Sequence, residues 1–195
     1  MTNNDKRKIR VSRFTFISFT GVFSIDTVDA FLEKINNIPA DHGIVMYLNS
    51  VGGDVCEGKR MLYMLNNFYR ERLILVGYDQ VDSIAFEVFY YFKGIKEFLD
   101  DSESVLHLYS VKMEDRALKE PDGYGKFRKR KLDLVNDWVV EYFKDFITEK
   151  ETKRIKKGIE VYLDHVRVQQ IVKKQMEIID FEITCEPIEH EIVIS

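Results

Sequence analysis

Apolar residues along this chain switch repeatedly between two spacings. Arg13 to Val22 is aromatic and β-branched and predicts a strand. Ile25 to Ile38 carries Val28, Phe31, Leu32 and Ile35 at helical spacing, with Ser24 or Asp26 as its cap. Gly43 to Leu48 is a continuous apolar run, the pattern of a strand buried on both faces of a parallel sheet. Gly52 and Gly53 end it, and Glu57 to Phe68 predicts a helix on Met61, Leu62, Met64 and Leu65. The cycle then repeats: Leu73 to Gly77 predicts a strand, and Ser83 to Phe92 a helix apolar nearly all round, ended by Gly94. Glu103 to Tyr109 predicts a further strand. Short connections between alternating strands and helices imply right-handed βαβ units, hence an α/β fold with a mostly parallel sheet.

From Lys112 the pattern changes. The turn-rich link Lys119 to Gly125 leads into a long helix over about 127–148, striped by Leu132, Val135, Trp138, Val139, Tyr142, Phe143 and Phe146. Such a stripe exceeds what docking on a small sheet needs and suits association. Thr148 to Glu151 has a capping-box pattern and starts a shorter helix. Val161 to Leu163 follows Gly158, and Val166 to Met176 predicts another helix. Residues 178–195 alternate at Phe181, Ile183 and Cys185, then Ile192 and Ile194, as a late strand or hairpin. The expected organisation is one domain over 1–195, with a polar, mobile arm at 1–12, a core at 13–110, a protruding helical handle at 111–157 and a C-terminal core and tail at 158–195.

Composition narrows the classes. The chain has 195 residues, 45% apolar, with a net charge of −4 and both signs mixed, which points to neither nucleic acid nor membrane. The basic clusters Lys126 to Lys131 and Lys153 to Lys157 read first as solvated helix faces and second as a partner surface. The two cysteines, Cys56 and Cys185, lack metal spacing and read as free thiols in a reducing compartment. No apolar run approaches the roughly 18 residues that span a bilayer, and no signal core follows the first residues, so a cytoplasmic protein is expected. His42 and His190, placed in polar turns, lack ligand spacing, so no metal is assigned. The acids Glu97, Asp100, Asp101 and Glu103 read as solvated. No phosphate-binding glycine loop with Lys and Ser/Thr is present.

Two junctions carry the candidate chemistry. Asn49-Ser50-Val51-Gly52-Gly53-Asp54 ends one strand and opens a helix, and Val81-Asp82-Ser83-Ile84-Ala85 does so about thirty residues later. Glycines there free backbone N–H groups to hold negative charge. A serine at the second junction reads alone as a helix N-cap, but beside the first it is placed as a nucleophile. Adjacent strand ends of a parallel sheet set Gly53 and Ser83 side by side at its carboxyl edge, where α/β ligand sites lie.

Met46 to Gly53 resembles the strand and Asn-Ser-Pro-Gly-Gly loop of the Clp-type proteolytic subunits, serine peptidases of the ClpP/crotonase superfamily, with Val51 in place of proline. Gln80 to Ala85 is similar to their Gln-Ala-Ala-Ser-Met-Gly/Ala segment, Lys93 to Phe98 to their Ala-Lys-Gly-Lys-Arg-Phe, and Gly158 to Leu163 to their Asp-x-Phe/Tyr-Leu-Ser. The resemblance covers roughly residues 13–175. It implies the ClpP/crotonase-like superhelix of repeated units, Ser83 as the attacking nucleophile, and Gly53 and Ile84 as oxyanion donors, with Gly52 contacting substrate. It further implies a base on the strand after the nucleophile helix and an acid at Glu160.

His107 is the histidine on that strand. Ungapped counting from Ser83 reaches Leu108 instead, and successive strand residues face opposite ways. One residue fewer in the loop 100–104 brings His107 into register, with Leu106 and Leu108 on the core face and Val105, His107 and Tyr109 on the other. The alternative is an ordinary strand histidine. Glu160 stands where the family has aspartate and reads equally as an exposed strand-end acid, with Asp164 as a substitute. Asp82, if ionised beside Ser83, opposes oxyanion formation.

The leading expectation is therefore a cofactor-free serine endopeptidase using Ser83, His107 and Glu160 inside a self-assembled ring chamber, single or stacked. Its substrates are peptides or unfolded proteins, and any ATP dependence comes from an AAA+ unfoldase partner. The alternatives are a catalytically impaired or inactive assembly subunit and, less favoured, a crotonase-type acyl-CoA enzyme that does not need Ser83.

Overall fold

The structure is a computed structural model that describes residues 6–106, 137, 140–141, 147–157 and 159–186. It divides into two units, residues 1–104 with 163–195, and residues 105–162. The first unit opens with β1 (Arg7–Val11), β2 (Arg13–Thr20) and α1 (Ile25–Asn36), then β3 (His42–Ser50), α2 (Val55–Met64) and β4 (Leu73–Val81). It continues with α3 (Ile84–Tyr91), β5 (Ile95–Phe98) and the start of β6 (Glu103–Leu106). The second unit holds the rest of β6, α4 (Glu149–Ile155) and the start of β7 (Val161–Asp164). The chain returns to the first unit for α5 (His165–Met176) and β8 (Phe181–Cys185).

In the first unit β2 pairs with β3, β3 with β4, and β4 with both β5 and β6, every pairing parallel. This is the α/β class that the spacing predicts. Ile44, Met46 and Leu48 are fully buried on one face of β3, while Val45 and Tyr47 on the other are half-buried, so only one face is sealed. The helix α1 starts in a capping box: the Ser24 hydroxyl accepts from the Thr27 N–H at 3.3 Å, and Thr27 Oγ1 accepts from the Ser24 N–H at 2.9 Å. Its apolar stripe, Val28, Phe31, Leu32 and Ile35, is buried. The core gathers around α3, where Phe86 and Phe89 join Phe92 and Phe98 in full burial. Each such ring stabilises the fold by roughly 1.5 to 3 kcal/mol.

Several expectations are corrected. The polar arm at 1–12 contains β1, which pairs in parallel with β8 from Arg7↔Phe181 to Val11↔Cys185. Ile9 and Val11 supply a short alternation whose partner lies far away in sequence, the late strand expected at Phe181 to Cys185. Helix α2 begins at Val55, two residues early, because the Asp54 carboxylate caps it by accepting from the Cys56 and Glu57 N–H groups. Its end is a π-helical turn, Leu65–Tyr69. Gly94 does not end α3: the helix stops at Tyr91, with Phe92 extended. Segment 95–98, not predicted as a strand, forms β5. His42 is no turn residue: it starts β3, is buried, accepts from Arg13 Nε at 2.7 Å through Nε2 and pairs with Thr15 Oγ1 at 2.9 Å through Nδ1.

The capping box predicted at Thr148 and Glu151 is present and starts α4. His107 to Tyr109, most of the helix expected over 127–148, His190, Ile192 and Ile194 lie outside the described residues. Among the described residues no helix is long and apolar enough to cross a membrane, and no group of three or more His, Cys, Asp or Glu is arranged to hold a metal. Both cysteines are free and exposed.

Candidate active site

Two strand-to-helix junctions meet at the carboxyl edge of the sheet in the first unit. The first runs from Ser50 through Val51, Gly52 and Gly53 to the cap of α2. Gly52 has φ +99° and Gly53 φ +141°, conformations that side chains disfavour. The Ser50 hydroxyl accepts from the Gly52 N–H at 3.1 Å and so folds the loop back on its own strand. Gly52 O then accepts from the Phe23 N–H at 2.9 Å, and Phe23 O accepts from the Asp54 N–H at 2.8 Å. That bridge uses the groups on either side of Gly53 and leaves the Gly53 N–H outside it.

The second junction is delivered by an irregularity. β3 and β4 stay in register to Leu48↔Gly77 and resume at Ser50↔Val81, so three residues of β4 oppose one of β3. This bulge turns on Asp79, whose φ is +58°. The Asp79 N–H donates to Ser102 Oγ at 3.0 Å, and its carboxylate accepts from Asn49 Nδ2 at 2.8 Å. Past the bulge, the Asp82 N–H donates to Ser50 O at 2.9 Å. One serine residue thus anchors both junctions, through its hydroxyl on one side and its carbonyl on the other.

Ser83 itself adopts φ +54° and ψ −125°, outside the regions open to ordinary side chains. Such strain costs about 1–3 kcal/mol and persists where the surroundings over-determine it, typically at functional sites. A sharp, strained strand-to-helix turn is also how the serine of a nucleophile elbow is raised clear of its sheet. Its hydroxyl makes no cap hydrogen bond to α3, so the N-cap role suggested by its position is not performed. Gly52 lies against it: a Cβ on Gly52 would sit 2.7 Å from Ser83 Cβ and 3.2 Å from Ser83 Oγ. Gly58 of α2 similarly makes room for Ile84, since a Cβ there would come within 2.2 Å of Ile84 Cγ1. Ile84 is the first residue of α3, and its N–H has no partner one turn back within the helix.

A strained serine, a glycine in contact with it, a helix start and a glycine loop are the parts from which the nucleophile side of an acyl-transfer site can be built. No family model matches this chain, and no curated protein does. The case for its chemistry therefore stands on these residues and their geometry.

His107 lies outside the described residues. Val105 and Leu106, which precede it, are both buried, at 7% and 4% exposure. Burial on both faces means that the core-face argument does not select His107 over Leu108. Glu160 is exposed just before β7, in the second unit, and its carbonyl accepts from Arg154 at 3.4 Å. Asp164 caps α5, its carboxylate accepting from the Arg167 N–H at 2.9 Å.

Asp82 is 6% exposed and accepts from Gln80 Nε2 at 2.6 Å. Gln80 was read only as part of a motif; nothing in the sequence marks it as the partner of Asp82. Lys96 was missed as well. It shares a face of β5 with Phe98, and a lysine alternating with a buried aromatic was the available signal.

Proposed function

We propose that this chain is a serine peptidase of the Clp proteolytic-subunit type, cleaving peptide bonds through an acyl-enzyme on Ser83. The observation that carries the proposal is the strained Ser83 with Gly52 packed on its hydroxyl. In this reading Ser83 Oγ attacks the scissile carbonyl, and the developing oxyanion is held by the N–H groups of Gly53 and Ile84. His107 takes the serine proton and returns it to the leaving amine, oriented by Glu160. Gly52 contacts the bound peptide. The resemblance at 46–53, 80–85, 93–98 and 158–163 supports the ClpP/crotonase-like fold and, with it, self-assembly into rings. It also supports unfolded polypeptide as substrate and an AAA+ unfoldase as partner.

A second reading is favoured by Asp82. If ionised, a buried carboxylate one residue before the nucleophile opposes the negative charge that forms in the transition state, which suits an assembly subunit with little or no turnover. Hydrolysis of a fluorogenic peptide library and of an unfolded protein separates the two. The peptidase reading expects cleavage that Ser83→Ala and His107→Ala each abolish, in a particle larger than 23.1 kDa by light scattering. An oligomer without cleavage, unchanged by either substitution, supports the assembly subunit.

A further inference from the structure

The helix that follows Ser83 is closed at its far end by the Phe92 N–H, which donates to Val88 O at 3.1 Å. α3 is eight residues long, has no basic residue in its last turn, and is followed by Phe92 in extended conformation rather than by a left-handed glycine. A helix end leaves its last carbonyls without partners, and at a buried end that is costly. Here side chains from elsewhere in the fold take them. Lys96 Nζ, reaching up from β5, donates to Phe89 O at 3.1 Å and Tyr90 O at 2.7 Å. Its third hydrogen bond goes to Gln175 Oε1 of α5 at 2.9 Å. Gln175 Nε2 in turn donates to Tyr90 O at 3.2 Å, and Asn66 Nδ2 donates to Tyr91 O at 3.1 Å.

An ammonium has three N–H groups, and each finds one acceptor. The group is 5% exposed, lies 5.9 Å from the centre of the Phe89 ring, and sits at the negative end of the helix dipole. Burial pushes its pKa down to about 7, while the three acceptors favour the protonated form.

We infer that Lys96 is a positioning residue for Ser83: its ammonium takes the end carbonyls of α3 that no glycine or basic last-turn residue caps, ties that helix to α5, and so holds the strained serine at the other end. This rests on the reading of Ser83 as nucleophile. The link is mechanical. α3 spans about 12 Å as one short rod, its first turn is wedged against Gly58 and Gly52, and Lys96, Gln175 and Asn66 hold its last turn. A strained backbone at Ser83 needs both ends fixed. Released at its C-terminus, the rod relaxes toward an ordinary helix start, and the hydroxyl leaves its position over Gly52.

The test compares wild type, Lys96→Met, Lys96→Arg and Gln175→Leu in the full chain. Two quantities are read: the second-order rate of fluorophosphonate labelling and the hydrogen exchange of α3 amides, each well below the melting temperature. Lys96→Met is expected to slow labelling of the folded protein by at least about tenfold. It also speeds exchange at Val88 to Phe92 more than in α1. Gln175→Leu gives a smaller loss in the same direction, and Lys96→Arg, which keeps a charged donor, recovers part of the rate. A Lys96→Met protein that only melts earlier, with wild-type labelling and α3 exchange while folded, overturns the inference. If Lys96→Met does not fold, Gln175→Leu decides on the same two quantities. If wild type is not labelled at all, the peptidase reading fails, and unchanged α3 exchange in Lys96→Met overturns the clamp separately.

Discussion

The junctions β3–α2 and β4–α3 occupy equivalent places in successive βα units, yet they are built oppositely. The first is relaxed where it matters for stability: its two positive-φ positions are glycines, and the Asp54 carboxylate satisfies the Cys56 and Glu57 N–H groups. The second puts a serine in a conformation suited to glycine and leaves the serine side chain out of the capping. A fold seeking only stability would build both like the first. Under the proposed function, the difference is free energy given up at β4–α3 to hold the nucleophile.

That contrast is most severely strained by Gly52→Ala. The new methyl would lie 2.7 Å from Ser83 Cβ, at a position with φ +99°. Fluorophosphonate labelling should fall by about 100-fold, equivalent to about 2.7 kcal/mol, while circular dichroism still reports a folded chain. Next comes Gly58→Ala, where the nearest atom, Ile84 Cγ1, lies 2.2 Å from the added Cβ. Overpacking should cost about 1–3 kcal/mol in urea unfolding, and Ile84→Ala, which removes the Cγ1 in contact, should recover part of it if the two helices meet at that point.

A third outcome concerns the far end of α3. The folded Lys96 pKa, about 7, lies below its ordinary 10.5. Between these values the unfolded chain holds a proton that the folded one lacks, so stability rises with pH across that window and is lost again as pH falls through about 7. The slope is at most about 1.4 kcal/mol per pH unit. Denaturant melts from pH 7 to 10 should show this contribution in wild type and lose it in Lys96→Met. The smallest effect belongs to the relaxed junction: Asp54→Ala should remove the α2 cap and lower stability by about 1 kcal/mol, read as a shift in urea midpoint.

Much of the first unit was legible because local chemistry and tertiary burial agree there. The stripe of α1 with its cap at Ser24 and the apolar run of β3 each state their structure within a few residues, as does the capping box at Thr148 in the second unit. What escaped depends on partners distant in sequence. β1 reads as a polar arm until β8 lies beside it. The bulge in β4 follows from Asn49 and Ser102 gripping Asp79, which no periodicity encodes. In the candidate site, residue types at the two junctions signalled the serine and glycines, but not the backbone conformation of Ser83. They also did not show that Gly52, rather than Gly53, is the glycine packed on the serine.

The central claim is that Ser83 is an activated nucleophile, and intact-mass analysis after fluorophosphonate treatment tests it most directly. Such a reagent needs an activated serine and an oxyanion hole, but no knowledge of the substrate. One adduct per chain is expected, mapped to Ser83 and absent from both Ser83→Ala and His107→Ala. An assembled, folded protein that takes up no label, or takes it equally after Ser83→Ala, would contradict it.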